Sequence, residues 1–181
     1  MGGDVLMPSI FTVGHSARGL KELIKILKSF GIGRVVDVRT IPRSKHNPQF
    51  NKEMLPLELE KEGIKYLHMP GLGGFRKERE DSKNNGWRDS SFRGFADYMQ
   101  TIEFEENLLQ LYAVAQSEIA ALMCAEAVPW RCHRSLIADA LSLRGIKVMH
   151  ILGLGKVYEH RVTPWAKVEG VKITYPASLG N

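Results

Sequence analysis

Only two cysteines occur in the 181 residues, Cys124 and Cys132, and no C-x-x-C pair is present. A disulfide framework is thereby excluded as the source of stability, and structural zinc, whose ligands come in short paired spacings, is disfavoured. No apolar run approaches the length of a membrane-spanning helix, so no membrane partner is expected. The start, MGGDVLMPSI, lacks the basic residues, long apolar stretch and small-residue cleavage site of a secretory signal. A cytoplasmic location with both thiols reduced is the resulting expectation. Internal repeats, low-complexity tracts and linker-like segments are absent as well, which leaves residues 1–181 as one expected domain with a polar excursion over about 71–95.

What is present is ordinary in amount and uneven in placement. A hydrophobic share of 44% and a charged share of 25% suit a globular chain large enough to bury a core without staples. The net charge of +5 favours anionic partners without specifying nucleic acid. Many arginines fall in presumed loops (Arg39, Arg43, Arg76, Arg79, Arg88, Arg93, Arg131, Arg134), whereas lysines sit more often on presumed helix surfaces. The planar guanidinium fork suits bidentate recognition of phosphate, sulfate or carboxylate.

Hydrophobic periodicity alternates between two types. Strand signals at Ile10–Val13, RVVDVR, IKYLHM, IAALMC and KVMHIL are separated by helical patterns. The first helix repeats Leu20, Leu23, Ile24, Leu27 and Phe30 and stops at Gly31. A second starts late because of Pro56, a long pattern from about Phe92 to Ala115 breaks near Thr101, and RSLIADALSLRG ends at Gly145. VKITYP could add an edge strand. This order predicts an α/β three-layer domain, α/β/α, on a mainly parallel sheet of about five strands. In open sheets of this kind ligands gather beyond the carboxyl ends of the strands. GHS, DVRTIPRS, HMPGLGG and CAEAVPWRCHRS should therefore meet at one edge.

The chemistry-bearing residues lie in those four segments. Cys132 is the better placed thiol, in a polar run beside His133 and before a helix whose N-terminal N–H groups and positive field lower a thiol pKa. Cys124 closes a strand and is either a second thiol or a small apolar residue at a strand end. Glu126 can act as a general base or pair with Arg131 or Arg134. The anion-binding candidates are Arg39, Arg43, Ser44, Arg134 and Ser135, the last two at the helix start. His15, Ser16 and Asp37 support them: Asp37 and Arg39 alternate across Val38 and share a strand face, and Ser16 is a candidate N-cap for the first helix. His68 and His150 read as core or rim histidines. No metal or cofactor is called for.

The order strand, cysteine, loop, arginine, helix is similar to the active-site loop of rhodaneses and cysteine-based phosphatases, and VVDVR is similar to the Asp-x-Arg strand end of rhodaneses. Here the stretch from Cys124 to Arg134 is longer than in those tight loops and holds Pro129 and Trp130. Taken together, FTVGHS, VVDVRTIPRS, QFNK, GIKYLHMPGLGG, FRGFADYM and LMCAEAVPWRCHRSLIADAL resemble the successive signature segments of the family described as domain of unknown function DUF488, from about Ile10 to Arg161. By that resemblance the polar signature falls on His15, Ser16, Asp37, Arg39, Pro42, Ser44, Gly73, Gly74, Cys124, Glu126, Cys132, His133 and Arg134. Three functions remain open. The first is an anion-binding enzyme acting on a phosphate- or sulfur-containing small molecule or nucleotide, a cysteine-dependent hydrolase or transferase. The second is a nucleic-acid-binding or processing module that uses the loop Phe75 to Gly94 with Trp87 and Phe92 as stacking groups, Trp87 being alternatively a loop anchor. A non-catalytic ligand sensor is the third.

Overall fold

The computed structural model describes residues 8–178. Its centre is a six-stranded sheet in the order β3-β2-β4-β1-β5-β6, built from β1 (Ser9–Gly14), β2 (Arg34–Asp37), β3 (Lys65–His68), β4 (Ala120–Cys124), β5 (Lys147–Gly153) and β6 (Lys156–Glu159). The first five run parallel, and β6 turns back antiparallel on β5. The sheet thus has one strand more than the sequence pattern suggested. VKITYP does not join it: β8 (Lys172–Thr174) pairs with β7 (Lys167–Glu169) in a separate two-stranded ribbon.

Five helices cover both faces, giving the three-layer α/β/α arrangement. On one face α1 (Leu20–Ser29) and α2 (Leu55–Lys61) bring Leu23, Leu27, Leu55 and Leu59 onto Val13, Val35, Met123 and Ile151. On the other, α3 (Ser90–Tyr98), α4 (Ile102–Ser117) and α5 (Arg134–Ser142) bring Phe95, Phe104, Leu108, Leu136 and Leu141 onto Ile10, Val36, Leu122 and Val148. The alternation within strands explains the division, since Ala121 and Met123 face one layer while Leu122 faces the other. β4 is buried along its whole length, as its apolar run requires of a central parallel strand.

Local signals set the helix ends. Asp89 Oδ1 accepts the N–H groups of Ser91 and Phe92 at the start of α3, and Thr101 Oγ1 caps α4 through Phe104 N. The expected break near Thr101 is therefore a capped boundary between two helices. Pro56 sits in the first turn of α2, where its missing N–H costs nothing. Ser16 does not cap α1; that place is taken by Gly19, while Ser16 turns the chain at a φ of 50°.

β1 and β4 are neighbours whose crossovers leave toward opposite faces, α1 on one side and α5 on the other. Their carboxyl ends form the topological switch point where an α/β sheet opens a crevice. Backbone pairing continues past both strand ends, with His15 N on Cys124 O at 2.9 Å and Ser16 N on Ala125 O at 2.9 Å.

Candidate functional site

The four polar segments do converge at this edge, and the two thiols meet there. Cys124 ends β4, and Cys132 follows a short 3-10 turn, Pro129–Arg131, that folds the loop back. Their sulfurs lie 2.8 Å apart as free thiols, 3% and 6% exposed. Cys124 S–H donating to Cys132, with help from His133 and Arg134, holds the Cys132 thiol well below its ordinary value despite burial. Burial, then the neighbouring sulfur, pushes Cys124 well above its own. The two shifts run in opposite directions, so Cys132 is the sulfur of the pair that its surroundings favour as a thiolate.

Three groups face the two sulfurs. Arg134 lies at the first turn of α5 and is fully buried. Its backbone N–H donates to Cys132 Sγ at 3.5 Å and its Nη1 to Cys124 Sγ at 2.5 Å. The remaining guanidinium donors go to Glu126 O, Ala127 O and Thr12 Oγ1. No carboxylate touches this buried cation among the described residues; its guanidinium meets Cys124 Sγ, two carbonyls and one hydroxyl. A buried charge without a partner is costly, so arginine and thiols form one electrostatic unit.

His133 supplies the third contact. Its Nε2 faces Leu72 O at 3.0 Å and Val38 O at 3.2 Å, two acceptors that require a proton on that nitrogen. Nδ1 is left facing Cys132 Sγ at 3.6 Å. The imidazole is therefore aimed at its own neighbour in sequence, able to share the thiol proton. Gly74 makes this pose feasible: a Cβ there would stand 2.7 Å from His133 Nδ1.

Arg39 is placed differently from an anion-binding fork. It is 8% exposed, and its Nε and Nη2 close a two-pronged pair with Asp37 at 2.9 and 2.7 Å. Nη2 also reaches Phe50 O, and Nη1 faces His15 Nε2 at 3.2 Å. Tyr66 adds a hydroxyl to Asp37 at 2.6 Å, and burial with this bond raises the Tyr66 pKa. His15 stacks on Phe50 at 4.3 Å, and burial, followed by the charge of Arg39, lowers its pKa while Ser16 O on Nδ1 opposes. This cluster is a brace between β1, β2 and β3.

The other candidates lie outward. Glu126 is exposed, and its carboxylate accepts Val128 N at 3.1 Å rather than pairing with Arg131 or Arg134. Arg43 is exposed and reaches Glu53 at 3.3 Å, while Ser44 shapes a turn with Asn47 and Asn51. Ser135 Oγ donates to Cys132 O at 2.9 Å. In the loop from Phe75 to Gly94, Arg76 stacks over Tyr98, Arg79 pairs with Asp81 and Arg93 with Glu78. Trp87 packs among Phe92, Trp165 and Tyr175. His68 Nε2 donates to Arg39 O at 2.8 Å, at the rim.

Sequence reasoning missed a polar chain threaded between the sheet and α5. Thr12 Oγ1 meets His150 Nδ1 at 2.6 Å, His150 Nε2 meets His160 Nδ1 at 2.8 Å, and His160 Nε2 meets Asp139 Oδ1 at 2.7 Å. Asp139 also accepts Thr163 and Tyr175 hydroxyls at 2.7 Å each. Since Asp139 accepts throughout, the chain has one direction, and Thr12 is left to accept Arg134 Nε–H at 3.3 Å. Burial, then His160 and Arg134, lower His150 to about 3. The signal in sequence was the alternation of Thr12 and His150 with apolar strand neighbours, which marks an inward polar residue needing a partner.

The fold and site define an α/β protein with a buried thiol pair at the switch point of its sheet. The chain belongs to the family described as Domain of unknown function DUF488, whose model matches residues 19–141. That span covers α1 to the greater part of α5, including both cysteines, His133 and Arg134. No curated protein and no solved structure matches the chain, and the likeness to rhodaneses finds no support there. Among the described residues no helix is long and apolar enough to cross a membrane.

Proposed function

We propose that the protein is a thiol enzyme acting on the sulfur–sulfur bond of a small molecule, with Cys132 as the attacking thiolate and Cys124 as the second thiol. The observation that carries this reading is the close pair of sulfurs inside one set of donors, with Arg134 and His133 both turned on it. The donors that would hold a phosphate are engaged by the protein's own groups. Arg39 is committed to Asp37, and the first turn of α5 addresses the Cys132 sulfur. The group that this helix start addresses is the Cys132 sulfur, which favours sulfur chemistry over phosphoryl transfer. Near-complete burial of both sulfurs favours a slender substrate over a folded partner.

In the proposed step the Cys132 thiolate attacks one sulfur of R–S–S–R′, forming Cys132–S–S–R and expelling R′–S⁻, which takes a proton from His133 or water. Cys124 then attacks the Cys132 sulfur, its proton passing to the departing R–S⁻. The products are a Cys124–Cys132 disulfide and two substrate thiols, and two electrons have moved from the protein to the substrate. Two equivalents of an external thiol return the pair to the reduced state by the reverse exchange.

The test is single-turnover reaction of the reduced protein with hydroxyethyl disulfide, followed by mass spectrometry. Wild type should release two thiols per chain and gain an internal disulfide, Cys124→Ser should stop at a mixed disulfide on Cys132, and Cys132→Ser should be inert. A Cys132→Ser protein that reacts as fast as wild type would overturn the assignment.

A further inference from the structure

Away from the thiols, one concavity brings exposed aromatic rings and an arginine together. It lies between the start of α5, the β5–β6 hairpin and the loop carrying Trp87, and forms an open hollow of about 750 Å³. Trp87, Trp130, Ser135, His150, Tyr158 and Arg161 are among its walls. A volume of this size suits a single small ligand.

Three observations give that ligand a chemistry. Trp130 is 61% exposed and Tyr158 36%, with ring centroids 6.3 Å apart and planes tilted by 47°. Two large aromatic faces are thus held toward water by rigid neighbours, the 3-10 turn at Pro129–Arg131 and the hairpin strand β6. The Trp87 indole N–H is the buried side-chain donor that has no partner among the described residues. An orphaned donor carries a desolvation cost that an acceptor on a ligand removes. Arg161, exposed at the rim, has no carboxylate partner among the described residues.

The other polar walls do not compete for these roles. His150 and His160 have both ring nitrogens engaged, Ser135 Oγ is spent on Cys132 O, Thr163 Oγ1 on Asp139, and the Glu159 carboxylate pairs with Lys147 at 3.5 Å. What the pocket offers, among the described residues, is two π faces and one guanidinium without a carboxylate partner, with the partnerless Trp87 N–H buried in its wall and Glu159 drawn off by Lys147. That set matches a planar heteroaromatic ring with acceptor atoms, joined to an anionic group.

We propose that this pocket binds a mononucleotide, the base against Trp130 and Tyr158 with an acceptor near Trp87, and the phosphate at Arg161. The proposal is independent of the thiol chemistry, because none of these groups touches a sulfur.

Calorimetric titration of the reduced wild-type protein with AMP, GMP, CMP and UMP tests it, alongside adenosine, ribose 5-phosphate and a short single-stranded oligonucleotide. At least one mononucleotide should bind in the submillimolar range, and ribose 5-phosphate should bind far more weakly. Trp130→Ala, at an exposed position that leaves the core intact, should weaken that nucleotide about tenfold, as loss of one base–aromatic stack implies. Arg161→Met should weaken the nucleotide while leaving the matching nucleoside unchanged. Failure of all four nucleotides, binding of the oligonucleotide alone, or affinity indifferent to Trp130→Ala would each overturn the proposal. Since the thiols take no part in the readout, Cys132→Ser should bind the nucleotide as wild type does, which separates failure here from failure of the exchange chemistry.

Discussion

Replacing Arg134 by methionine keeps much of the side chain's bulk and removes the one guanidinium that, among the described residues, touches the thiol pair. Nη1 is 2.5 Å from Cys124 Sγ and the sulfurs are 2.8 Å apart, so the positive charge lies within roughly 5 Å of the Cys132 sulfur. At an effective dielectric of about 20, two unit charges at about 5 Å attract by about 3 kcal/mol. Since about 1.4 kcal/mol is tenfold in an equilibrium, ionisation of the pair should become roughly a hundredfold less favourable. Alkylation by iodoacetamide follows the thiolate. On the acid limb of its pH profile the variant should therefore react roughly a hundredfold more slowly, and the ultraviolet thiolate band should appear only at higher pH. Arg134→Lys keeps the charge but loses the contact with Thr12, and should lie between the two. Circular dichroism establishes that each variant is folded. An Arg134→Met protein with a native fold and an unmoved alkylation profile would refute the view that arginine and sulfurs form one unit.

Other consequences concern pH and packing. Because Cys132 is held below its ordinary value of 9.0, the unfolded chain binds the extra proton between the folded value and 9.0. Stability in urea should rise with pH through that window, by up to about 1.4 kcal/mol per pH unit from this group. Above 9.0 the raised Cys124 acts in the opposite sense, so stability should fall again. Under reducing conditions Cys132→Ser should flatten the rising limb; retention of that limb contradicts the assignment. His150, lowered from 6.5 to about 3, should make the native state lose stability as pH falls through that window, since only the unfolded chain takes up the proton there. His150→Gln should remove this part of the acid limb, and an identical acid profile would speak against a neutral buried His150. Gly74→Ala must displace the His133 ring, whose Nδ1 would stand 2.7 Å from the new methyl, and should slow Cys132 alkylation at neutral pH. An unchanged rate would remove His133 from the site. Asp37→Asn leaves the buried Arg39 without its counter-ion and should cost about 3–5 kcal/mol. A loss under about 1 kcal/mol in urea denaturation would show that the brace matters little.

The sequence disclosed the framework better than the partners. Alternation in RVVDVR and IAALMC, the late start at Pro56 and the break at Thr101 all have local causes that act within a few residues. β6 gives no pattern because its four residues are all exposed and carry no buried stripe, and VKITYP pairs with β7 in a local hairpin turning at Gly170, through strands of three residues too short to signal their partner. Convergence of the four loops followed from topology alone. The commitments of Arg39 and Arg134 did not, because a guanidinium in a loop reads the same whether it awaits a ligand or braces its own domain. His133 is legible as a candidate in the sequence, but its aim is not. Adjacent side chains usually diverge, but the helical φ of −57° at this residue, just ahead of α5, swings the imidazole back toward Cys132.

Arg134 has a further consequence for how sequences of this kind can change. A chain that lost both sulfurs would keep a cation in its interior with nothing of opposite sign beside it, and a chain that lost the cation would strand the thiolate. Neither change is tolerable alone at small cost, so the cysteines and the arginine should be inherited or discarded together. A relative that has exchanged Cys124 and Cys132 for apolar residues should carry a neutral side chain at the position of Arg134. Thr12 would then be free to vary as well, since the guanidinium it receives would be gone.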